Sequence, residues 1–171
     1  PASREPVALA VSPDGKKIWA ANHLPAGAAD GDFTAAALTL VENGKAVHFP
    51  LANGTQGVRG MAVSPDGRYL AVAHVLSRYQ VPTTQLDRGW MNTNAVTIID
   101  TAHPDRPHPV LLDDPDAGAA NPWGVLFSPD GSLLLVTHAG THELSVIDFL
   151  ALLARMKKED RSGNPVSERL G

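Results

Sequence analysis

The residues able to do chemistry in this 171-residue chain are its seven histidines, three tryptophans and a scatter of arginines, because cysteine is absent. His23, His74 and His138 each follow, about ten residues on, one copy of the same segment, Ser-Pro-Asp-Gly, at Ser12 to Gly15, Ser64 to Gly67 and Ser128 to Gly131. Neutral imidazole is the commonest metal donor, so one histidine per repeat facing a shared cavity would suit copper, iron, the edge of a haem or a small ligand. The plainer reading is that an equivalent polar residue hydrogen-bonds a neighbouring loop in every repeat. Three such sites set away from a common axis are also far apart for one ion. His138 and His142 form the better local pair across a short loop, and with His74 they make up the candidate metal set.

A second group of candidates is aromatic and cationic. The stretch between the second repeat's paired strands and its next strand, Val75 to Thr93, holds Arg78, Tyr79, Arg88, Trp90 and Met91, with Asn92 at its end. Aromatic side chains are costly to leave in water, so this insert either plugs the top of its unit or presents a ligand or partner surface. Gln56, Arg59, Asn121 and Trp123 lie on the approaches to the second and third repeats and join the same group. Weaker signals stay in the background. Asp113, Asp114 and Asp116 lack the spaced ligands and closing Glu of a calcium loop. Asn53-Gly54-Thr55 matches a glycosylation acceptor, a pattern short enough to recur by chance. The chain has no Gly-x-Ser-x-Gly elbow, no His-Glu-x-x-His pair and no phosphate loop.

What positions these residues is the repeat. Pro presets φ at the first corner of the turn, Asp bonds its own backbone, and Gly accepts the left-handed conformation that closes a hairpin. Apolar runs flank each copy, Val7 to Val11 and Ile18 to Ala21 around the first, Met61 to Val63 and Tyr69 to Ala73 around the second, Gly124 to Phe127 and Leu133 to Thr137 around the third. Further strands are expected at Ala36 to Val41, Ala46 to Leu51 after the Asn43-Gly44 hairpin signal, Ala95 to Asp100, Val110 to Leu112 and Glu143 to Asp148. The glycine-rich stretch from Ala52 to Gly60 reads as a crossing between units, and the proline-rich Thr101 to Pro109 as irregular.

The fold expected is therefore all-β, a partial β-propeller of about three four-stranded antiparallel blades at 6–51, 58–113 and 122–148. The third blade is incomplete, because helix formers replace its fourth strand. A C-terminal helix is expected at 149–159, capped by Asp148 with Phe149, Leu152, Leu153 and Met156 on one face, and a polar tail at 160–171. In a propeller the loops after each second strand and those leading into each first strand open on one face. His23, His74, His138, His142, the insert and the approach residues are thus expected on one rim, opposite the Ser-Pro-Asp-Gly turns.

Composition narrows the partners. A net charge of −4 with no basic stripe argues against nucleic acid. No run of about 18 apolar residues occurs, so no membrane span is expected. The first residues lack a signal-peptide pattern, which fits a cytoplasmic protein or one whose leader is removed. Without cysteine there is no disulfide, no thiolate chemistry and no covalent c-type haem, whose attachment takes Cys-x-x-Cys-His. A redox cofactor must be held otherwise or belong to a partner.

The turn, the following Ala-Asn-His or Ala-His, and the strands Ala95-Val96-Thr97-Ile98-Ile99-Asp100 and Leu144-Ser145-Val146-Ile147-Asp148 resemble the YVTN-type β-propeller repeat. The stretch His74 to Asn94, with Val81-Pro82-Thr83-Thr84-Gln85 and Arg88 to Asn94, resembles bacterial propellers that accompany di-haem cytochrome c peroxidase (MauG-like) domains. The resemblance implies an extracytoplasmic, periplasmic propeller serving a c-type cytochrome or peroxidase partner, with further blades on a longer chain or a companion. Two roles stay open. One is a binding module whose rim, with His23, His74, Arg59, Arg78, Trp90, Asn92 and Trp123, docks a ligand or haem protein. The other is a piece of an oxidoreductase whose rim histidines hold the metal or haem.

Overall fold

The computed structural model describes residues 2–25, 27–28, 30–77, 92–113 and 120–162. Three antiparallel sheets follow one another along the chain. The first holds β1 (Pro6–Val11), β2 (Lys17–Pro25), β3 (Ala36–Glu42) and β4 (Lys45–Pro50) in sequence order. The second repeats that order with β5 (Thr55–Val63), β6 (Tyr69–Ser77), β7 (Asn92–Asp100) and β8 (His108–Leu111), and the third has only β9 (Pro122–Phe127), β10 (Leu133–His138) and β11 (Glu143–Asp148). Helix α1 (Phe149–Ser162) stands where a fourth strand would begin. The described residues thus form three successive propeller blades, the third with no outer strand among them.

The repeated turn closes each first hairpin in the same way. The serine carbonyl accepts the glycine N–H at 2.8 Å in all three copies, and each of those glycines lies near φ +70. The serine hydroxyl donates to the aspartate and accepts the backbone N–H five residues on, as in Ser64 with Asp66 at 2.6 Å and Tyr69 at 2.9 Å. These bonds hold the Asp14, Asp66 and Asp130 carboxyls below their usual range. For Asp14 the Ser12 hydroxyl leads; for Asp66 burial opposes the fall and the Ser64 and Arg68 bonds outweigh it; Asp130 reaches about 2, chiefly through Ser128.

First strands of successive sheets lie against one another, β1 on β5 and β5 on β9, and contacts thin out towards the later strands. That is the radial arrangement of a propeller. Two apolar layers fill the wedges. Trp19, Leu38 and Ala21 of the first blade meet Leu70, Val72 and Ile99 of the second. Ala71, Val96 and Ile98 then meet Leu134, Val136 and Phe127 of the third, together with Phe149, Leu152 and Met156 of the helix. Asp148 caps that helix by accepting the Ala151 N–H at 2.9 Å.

Four details differ from the sequence reading. The stretch read as a crossing is largely strand, because β5 begins at Thr55 and absorbs the glycines in a register shift between Gln56 and Gly60, with Gly57 at φ 61. His74 lies inside β6, which runs on to Ser77, and does not end it; β2 likewise continues past His23 to Pro25. β8 starts at His108, within the stretch taken as irregular. The helix continues to Ser162, into what was read as tail, while 163–171 lie outside the described residues.

Candidate functional site

Ten residues beyond the serine of each turn stand Asn22, His74 and His138, so the first-blade equivalent of the two histidines is Asn22 and not His23. The three side chains make the same bond. Asn22 Nδ2 donates to Thr39 Oγ1 at 3.0 Å, His74 Nε2 pairs with Thr97 Oγ1 at 2.6 Å, and His138 Nε2 pairs with Ser145 Oγ at 2.8 Å. The hydroxyls are equivalent too, standing opposite Ala20, Val72 and Val136 on the adjacent strand. A polar tie from second to third strand is therefore built into every blade.

His74 has no free nitrogen. Its Nδ1 donates to the Val75 carbonyl at 3.2 Å, which leaves the neutral Nε2 to accept from Thr97, and full burial pushes its pKa down to about 4. His138 is also buried, and burial lowers its pKa, although the carboxylates of Glu143 and Asp113 pull the other way. Among the described residues its Nδ1 has no hydrogen-bond partner. His142 is exposed in the following turn at φ 59. Among the described residues no three His, Asp or Glu side chains converge as a metal ion requires. The expected set of His74, His138 and His142 therefore does not fit a shared ion, and no metal step is assigned to it. His23 turns to a different task, donating Nδ1–H to the Val58 carbonyl at 3.0 Å and so tying the first blade to the second.

What the fold does bring together is Arg59 and Trp123. Both stand five residues before the serine of their turn, Arg59 on β5 and Trp123 on β9, with Val7 in the same place on β1. The Arg59 guanidinium sits 4.8 Å from the centre of the Trp123 ring, and both side chains are exposed. They border a cleft of about 150 Å³ shared with Gly57, Val75, Asn121 and Pro122. Its shape rests on backbone geometry that sequence signals hardly announce. Gly60 lets β9 come so close that a Cβ there would run into the Trp123 carbonyl oxygen, and Asn121 turns at φ 56 while donating its N–H to Asn94 Oδ1 at 3.2 Å. Asn94 is in turn fixed by the Asp113 carboxylate, at 2.6 and 2.9 Å from its two nitrogens. Gln56 and Asn92, both exposed, approach to 3.4 Å on the same rim. Arg78 and Trp90 lie outside the described residues. The pairing of Arg59 with Trp123 was open to detection in the sequence by counting back equally from each turn.

The fold and this cleft define a three-blade β-propeller unit with an aromatic and cationic rim. No family model matches the chain. Over 117 residues it is 28% identical to the hydrazine synthase subunit beta of Kuenenia stuttgartiensis, covering 68% of this chain and 30% of that subunit. The solved hydrazine synthase of Kuenenia stuttgartiensis is similar over 85% of this chain and 40% of the solved one, with a TM-score of 0.73 and 26% identity. The chain thus spans less than half the length of the proteins it resembles.

Proposed function

We propose that this chain is the partner-binding propeller module of a redox complex and that the partner docks over the rim between the second and third blades. The observation that carries this reading is the Arg59 and Trp123 pair, two residue types that dominate binding energy at protein interfaces. Holding the guanidinium against the indole before binding lowers the entropy lost on association. In a chain of net charge −4 it also offers a local cation to an acidic patch or haem propionate. The likeness to a hydrazine synthase subunit supports membership of a multi-subunit redox assembly. The resemblance to propellers that accompany MauG-like peroxidases supports a c-type haem protein as the partner and an extracytoplasmic setting. The chemistry then belongs to that partner, and this chain contributes its position.

Titration calorimetry against a purified c-type cytochrome tests this. Arg59→Ala and Trp123→Ala are each expected to weaken binding by about 10- to 100-fold, and Lys45→Ala, on the hairpin at the opposite end of the first blade, to leave it unchanged. Equal affinity for all four proteins, or no binding by the native one, would overturn the reading.

A further inference from the structure

His23 fills, between the first and second blades, the place that corresponds to the cleft between the second and third. Counted from the serine of each turn, His23 matches Val75, and its acceptor Val58 matches Pro122. The backbone repeats as well. A left-handed residue stands just before the acceptor's place in every repeat, Glu5 at φ 54, Gly57 at φ 61 and Asn121 at φ 56, and the pairing of each first strand shifts register nearby. The kink that brings the Val58 carbonyl to His23 Nδ1, at 3.0 Å, therefore turns the Pro122 carbonyl towards Val75. Val75 has no side-chain N–H to give.

The cleft in front of that carbonyl, about 150 Å³, has room for one small ring. Its walls select the kind. Val75 and the Trp123 indole favour an aromatic body, the Pro122 carbonyl calls for an N–H, and the Arg59 guanidinium against the indole disfavours a cation. A neutral imidazole meets all three demands, and His23 shows the fold accepting one. All seven histidines of the chain lie within the described residues and none lines this cleft, so the ring comes from another molecule.

We propose that the cleft seats the neutral imidazole of a histidine on the docking protein, with its N–H given to the Pro122 carbonyl and its ring beside Trp123. The source of that histidine rests on the partner reading above; the ring site itself does not.

Two-dimensional NMR of the native chain with free imidazole, at about pH 8 where the ring is neutral, tests the site. Shifts are expected at the Trp123 indole N–H and the Val75 amide, with about millimolar affinity. Thiazole, a ring of similar size with no N–H, is expected to bind about tenfold more weakly or less. Val75→His supplies the chain's own ring, as His23 does one blade earlier, and is expected to abolish the imidazole shifts and to weaken binding of the c-type cytochrome about tenfold or more. Val75→Phe fills the same space and replaces it should Val75→His fail to fold. Absence of imidazole shifts, equal affinity for thiazole, shifts that persist in the filled variant, or a cytochrome affinity indifferent to filling would each overturn the proposal. Cytochrome binding with no response to imidazole leaves the docking reading standing without the ring; imidazole binding with no cytochrome binding overturns the docking reading, and the histidine's source with it.

Discussion

His74 shows how one side chain can look like a metal ligand in sequence and be structural in the fold. It is neutral, enclosed and hydrogen-bonded at both nitrogens. Its folded pKa of about 4 lies below the ordinary 6.5, so the unfolded chain takes up a proton before the native one does. The stability due to the neutral ring is present above pH 6.5 and is lost as pH falls from there towards 4, to the extent of about 3 kcal/mol at most. Blade one supplies the control. Asn22 makes the same tie to a threonine without titrating, so His74→Asn is expected to flatten the acid limb of stability measured by denaturant unfolding between pH 7 and 4. His74→Ala should instead cost about 1–3 kcal/mol at pH 7, because it leaves the Thr97 hydroxyl buried without its partner. An unchanged pH profile in the asparagine variant would transfer the acid sensitivity to His138.

At the scale of the strand, close approach between blades depends on what is missing from a side chain. Gly60 on β5 faces the Trp123 carbonyl of β9 with no room for a Cβ, whereas Gly124, its equivalent on β9, would bring a Cβ to 3.1 Å from the Thr137 hydroxyl of its own sheet. A strand's backbone yields less readily than a side chain does. Gly60→Ala is therefore expected to destabilise by about 1–3 kcal/mol and to disturb the Arg59 and Trp123 cleft, measurable as a loss of thermal stability and a shift in indole fluorescence. Gly124→Ala should cost less than about 1 kcal/mol. The hairpins themselves were legible in advance because their signal is local. Pro, Asp and Gly at fixed corners specify a turn whatever surrounds it, and Asn43-Gly44 did the same for β3 and β4. The start of β5 was not legible, since its glycines read as loop until the neighbouring strand supplies the pairing that straightens them.

For the molecule as a whole, the decisive feature is that apolar burial stops at two flanks. Leu9, Ile18, Leu144 and Val146 are exposed although their repeat equivalents form the core. His23 does not take the place that His74 and His138 hold in their blades: side chains alternate along a strand, so a shift of one residue sends His23 towards the second blade's Val58 and its neighbour Asn22 to the opposite face of the sheet.

The amino-acid sequence alone determined the hairpins, their threefold recurrence, the all-β class and the capped helix, because turn chemistry and alternating burial act over a few residues. Only the tertiary structure decided which polar residues are ties within a blade, that Arg59 meets Trp123, and that two apolar faces remain open. Those depend on how neighbouring sheets seat against one another, and the distances between residues some sixty positions apart are set by packing and not by local preference.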